Sequence, residues 1–113
     1  MIFALATDDR GLTVFPNLES AIAYCEGIDV EDGLWLFWDG NGEALEAVFS
    51  RPNERNGFSV LSGTYSLRPS PNGKGFLESI EHVGYLEENP HFASLDAVVA
   101  HVARRGVAKH DCA

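Results

Sequence analysis

Leu34-Trp35-Leu36-Phe37-Trp38-Asp39-Gly40-Asn41-Gly42-Glu43-Ala44-Leu45-Glu46-Ala47-Val48-Phe49-Ser50 is the stretch from which the fold is read. Its first five residues are apolar without interruption, the pattern of a central strand covered on both sides. Trp35 and Trp38 lie three apart, so on a strand they face opposite sides of the sheet. Asp39-Gly40-Asn41-Gly42 is the strongest turn signal in the chain. The return strand, about Glu43 to Ser50, puts Leu45, Ala47 and Phe49 on one face and Ala44, Glu46 and Val48 on the other.

Working outward, Ile2 to Thr7 reads as a first strand and Leu12 to Phe15 as a second. Asp8-Asp9-Arg10-Gly11 is the turn that lets them pair as a hairpin. A helix follows over about 17–26. Asn17 is a good cap after Pro16, and Leu18, Ala21, Ile22 and Cys25 fall on one helical face. Gly27 is its expected stop. Near the C-terminus Phe92-Ala93-Ser94-Leu95-Asp96 repeats the entry Phe15-Pro16-Asn17-Leu18-Glu19. It predicts a second helix over about 94–105, with Leu95, Val98, Val99 and Val102 as its buried stripe and Gly106 as its stop. Shared helix-entry physics explains the likeness more simply than a duplication. Between hairpin and second helix, Phe58 to Leu67 reads as a strand interrupted by Gly63. Phe76 to Leu86 reads as a last strand, or two short ones. Residues 51–57 and 69–73 are polar loops, and the tail after Gly106 frays.

These elements predict one α+β domain over 1–113: an antiparallel sheet of about five to six strands with two helices packed on it. No stretch approaches the length of a membrane helix. The N-terminus, which runs into Asp8-Asp9 without an early base, is not that of a signal peptide. Cys25 and Cys112 form no disulfide framework, and two free thiols fit a reducing compartment. A cytoplasmic protein is expected.

Charge is the most informative number. The chain has 8 Lys and Arg against 17 Asp and Glu, a net charge of −9. Residues 1–50 hold ten acids and a single base, Arg10, while residues 51–113 are balanced. Such a surface disfavours nucleic acid and anionic membranes, which need basic patches. It favours a basic protein partner, although acidity also serves solubility alone.

The usual chemical signatures are missing from the sequence. No Gly-x-Ser-x-Gly elbow is present. His82, His91, His101 and His110 do not take zinc-helix spacing, and there is no Cys-x-x-Cys. His110-Asp111-Cys112 reads as solvated tail. The run Asp29-x-Glu31-Asp32-Gly33 is similar to the opening of a calcium loop, but the twelfth position is Gly40. Gly40 and Gly42 belong to a hairpin, not a phosphate cradle. No cofactor, metal or enzymatic activity is therefore expected. The expected contact residues for a partner are Asp29, Glu31, Asp32, Asp39, Glu43 and Glu46, with Trp38 as an aromatic anchor. Core packing for both tryptophans is the plainer reading.

The stretch Leu18-Glu19-Ser20-Ala21-Ile22-Ala23-Tyr24-Cys25-Glu26-Gly27-Ile28-Asp29-Val30-Glu31-Asp32-Gly33, followed by the turn at 39–42, resembles a run found in many small acidic bacterial proteins. Some of these look like immunity proteins of contact-dependent growth inhibition and related polymorphic toxin systems. Trp35 stands where that pattern prefers Tyr. The resemblance implies an acidic cytoplasmic inhibitor that binds a basic toxin domain, often a nuclease, and covers its active site; separately, a monomer is the favoured oligomeric state. No residue roles carry over, because each such pair builds its own interface. A small-molecule-binding domain or enzyme with an aromatic-lined pocket is the alternative, and a homo-oligomeric scaffold is a weaker one.

Overall fold

A computed structural model describes residues 1–57 and 59–111, with 106–111 described as backbone only. Strands β1 (Ile2–Ala6) and β2 (Gly11–Phe15) form the expected hairpin. Helix α1 (Leu18–Tyr24) and a short helix α2 (Gly27–Glu31) lead to β3 (Trp35–Asp39) and β4 (Ala44–Arg51). A small arm follows, β5 (Glu54–Arg55) paired with β6 (Val60–Leu61), and then β7 (Thr64–Pro69). A 3₁₀ turn (Leu77–His82), β8 (Tyr85–Leu86) and α3 (Leu95–Asp111) complete the chain. The fold is α+β: a six-stranded sheet in the order β7-β4-β3-β1-β2-β8, plus the two-stranded arm. All pairings in the large sheet are antiparallel except β2 with β8.

β3 lies between β1 and β4, as its unbroken apolar run requires. One face of the sheet buries Ile2, Ala4, Phe15 and Phe37 against Ala21 of α1 and Cys25 just beyond it, with Val30 of α2 and Trp35 packed alongside. The other buries Phe3, Leu5, Leu12, Val14 and Trp38 against Phe76, Val83 and the α3 stripe of Val98 and Val102. Fully burying each of the larger side chains contributes roughly 1.5–3 kcal/mol. Both helix entries are capped as their sequences suggest. The Asn17 side chain accepts the Ser20 N–H at 2.8 Å, and Ser94 Oγ accepts the Ala97 N–H at 3.2 Å.

Several expectations need correcting. The first helix ends at Tyr24, not residue 26, because Cys25 turns extended (φ −89°, ψ 104°) and its carbonyl accepts the Tyr65 hydroxyl. Gly27 opens α2 instead of stopping α1, so residues 27–31 are helical. A Cβ at Gly27 would stand 2.8 Å from Asn53 Oδ1, so tertiary packing explains the glycine there.

Residues 76–86 are not a strand. Phe76, Ile80 and Val83 recur at helical spacing and pack on the core, while only Tyr85–Leu86 pair as strand. The expected strand 58–67 is split between the arm and β7, where the Gly63 N–H donates to the Asn53 side chain at 2.7 Å. Phe58, its predicted start, lies outside the described residues. Helix α3 continues through Gly106 to Asp111, so the predicted stop and frayed tail are not observed over 106–111. A glycine inside a helix disfavours it by only about 1 kcal/mol, and the neighbouring Ala, Arg and Lys residues are good helix formers. Cys112 lies outside the described residues, as do the side chains of His110 and Asp111.

Candidate functional site

The strand register decides which acids meet. Ala6 pairs with Trp35 and Ile2 with Asp39, so the turn 7–10 and the segment 31–34 share one end of the sheet. Two bonds tie them: the Thr7 N–H donates to the Leu34 carbonyl at 3.0 Å, and Thr7 Oγ1 donates to the Gly33 carbonyl at 2.9 Å. Asp8 and Asp9 therefore stand beside the α2 end that carries Glu31 and Asp32. Asp29 is half-buried in α2, and its backbone carbonyl accepts the Leu34 N–H at 2.9 Å. Tyr85 Oη adds a further acid to this rim, lying 3.0 Å from Asp9 Oδ2 and 3.1 Å from Glu87 Oε1. These two hydrogen bonds, Asp9 first, push the Tyr85 pKa up to about 12.

The rim is partly compensated from within. Arg55 of β5 lies 2.7 Å from Asp32 Oδ1 and 3.6 Å from Glu31 Oε1, with all three side chains about half exposed. Exposed pairs of this kind contribute about 0–1 kcal/mol, so a stronger cationic partner can replace Arg55. Arg10, the other nearby base, is turned elsewhere. Its Nε donates to the His82 carbonyl at 2.9 Å and its Nη2 to the Glu81 carbonyl at 2.8 Å.

The structure does not gather all the expected contact residues. Asp29, Glu31 and Asp32 stay together. Asp39 and Glu43 lie at the opposite end of β3, about 13 Å away at roughly 3.3 Å per residue. Asp39 is a turn residue: its Oδ1 accepts the N–H of Asn41 at 2.9 Å and of Glu43 at 3.0 Å. Glu46 lies mid-sheet on β4, 3.5 Å from Arg68. Trp38 is no surface anchor. It is 2 % exposed, its indole N–H donates to the Lys74 carbonyl at 2.9 Å, and it meets Phe76 edge-on.

Sequence reasoning passed over Asp8 and Asp9 as contact residues, although both belong to the acidic first half. Nothing local in the sequence brings them to residues 31–32; the β1–β3 pairing does. Among the described residues no group of three or more His, Cys, Asp or Glu side chains is placed to hold a metal ion. No helix among them is long and apolar enough to cross a membrane. Compared with known proteins, the chain matches no family model, no curated protein and no solved structure.

Proposed function

We propose that this chain is an inhibitor of the immunity-protein kind. In this reading it works in the cytoplasm and neutralises a basic toxin domain, a nuclease in the first instance, by covering its active site with an acidic surface. The observation that carries the reading is that the turn holding Asp8 and Asp9 and the segment holding Glu31 and Asp32 share one sheet end, where Arg55 pairs with Glu31 and Asp32. A one-signed rim on a protein of net charge −9 accelerates encounter with a basic surface and makes it salt-sensitive.

The test uses the small basic C-terminal domain of any long exoprotein encoded beside this gene. Co-expression is expected to protect cells from that domain, and surface plasmon resonance is expected to show fast, salt-sensitive association. Reversing Glu31 and Asp32 to Lys should slow the on-rate about tenfold at low salt. Asp96→Lys on α3 should leave it unchanged. Equal on-rates for all three proteins would remove the acidic rim from the interface. Absence of both binding and protection would sink the inhibitor reading itself.

A further inference from the structure

Away from α2, on the opposite face of the sheet, the helical layer is incomplete. Leu36 shares a face with Trp38, yet it is 43 % exposed while Trp38 is buried. Its cross-strand partner Leu5 is buried under the core, and Val48 on the same open face is 38 % exposed. Leu36 and Val48, on the inner strands β3 and β4, are therefore left partly uncovered on this face.

Two hollows adjoin over this leucine, of about 260 and 240 Å³, and both are lined by Leu36 and His82. Leu5 and Arg10 also line the first, and Trp38 and the exposed Lys74 the second. No lining residue of either hollow is Asp or Glu, in a chain that holds 17 of them. Nearby Glu46 is paired with Arg68, and Glu81 lies 3.8 Å from His82. Arg10 is fixed in place by its bonds to the 81 and 82 carbonyls, so its charge stays at the groove. An apolar floor with a few convergent polar groups is the make-up of a small-molecule site.

We infer that this groove binds a small amphipathic carboxylate, its aliphatic chain lying along Leu36 and its anionic head at the rim formed by Lys74, His82 and Arg10. The charge of the lining selects an anion against the acidity of the whole chain, and the leucine floor selects an alkyl chain. The site stands on the sheet face opposite the α2 acids, so it does not depend on the inhibitor reading.

Octanoate, below its micelle-forming concentration, is the probe. Calorimetric titration is expected to show saturable one-to-one binding, weaker binding of octanol and none of octyltrimethylammonium. Amide shifts should centre on Leu36, Lys74 and His82. Leu36→Glu and Lys74→Glu should each weaken octanoate about tenfold, equivalent to about 1.4 kcal/mol. The urea midpoint of Lys74→Glu should stay at that of the parent, because that side chain is exposed. No saturable binding of octanoate, equal binding of the cationic analogue, or wild-type affinity in Lys74→Glu would each overturn the inference.

Discussion

Arg10 was legible as a turn residue but not as a clamp. It holds a left-handed backbone (φ +64°), which disfavours a non-glycine residue by roughly 1 kcal/mol, and its guanidinium closes the end of the 3₁₀ turn. Arg10→Ala should lower the free energy of unfolding by about 1–2 kcal/mol in urea melts, through the lost charge-assisted bonds. Arg10→Gly, which relieves the backbone, should lie between the two.

Cys25 is a second residue whose role comes from its surroundings. Burial, and secondarily Asp29, push its thiol pKa up to about 12. Burial and Cys25 likewise raise Tyr65. A group whose folded pKa is raised holds more protons when folded, so its stabilisation is present at neutral pH. That stabilisation is lost as pH climbs above the ordinary value of about 8.5 toward the folded one. In a Cys112→Ser background, Cys25 should resist thiol reagents at neutral pH until denaturant is added. The urea midpoint should fall steadily above about pH 9.

At the scale of elements, the β3–β4 hairpin was readable because its turn carries its own chemistry. The Asp39 N–H donates to the Glu43 carbonyl at 3.0 Å, the Gly42 N–H donates to the Asp39 carbonyl at 3.0 Å, and Gly42 is left-handed (φ +83°). Asp39→Ala removes an acceptor for two backbone N–H groups and should destabilise by about 1–2 kcal/mol. Gly42→Ala should do more harm, about 2–4 kcal/mol, seen as a lower thermal midpoint. It adds backbone strain and sets a Cβ 2.5 Å from Val102 Cγ1. Elements whose ends are set by distant partners were misread. The break at Cys25 is secured by Tyr65, forty residues on, and the split of the 58–67 strand is secured by Asn53, which bonds both Gly63 and Gly27. The 76–86 segment, expected as strand, differs: its helical spacing of Phe76, Ile80 and Val83 is written in contiguous residues.

Across the whole molecule, charge and core divide cleanly. Helical segments pack on both faces of one sheet, while Asp8, Asp9, Asp29, Glu31, Asp32 and Asp39 sit at strand ends and on or beside α2. A net charge of −9 repels itself, so moderate salt should raise the thermal midpoint by a few degrees until screening saturates near a Debye length of about 8 Å. Disrupting the Arg55 pair by Arg55→Ala should change stability by less than about 1 kcal/mol. The same change should make the rim more acidic and quicken association with a basic partner.

Composition and hydrophobic period by themselves determined the α+β class, the central place of β3, the hairpin turn, both helix caps and the acidity of the first half. Each of those is written in contiguous residues, where spacing and capping chemistry act locally. Only the tertiary structure decided that Asp8 and Asp9 share a sheet end with Glu31 and Asp32, that the Asp39 side chain serves its turn, and that Leu36 is left open. Those outcomes follow from strand register and from how far each helix reaches across the sheet, and both are properties of pairings between segments distant in the chain.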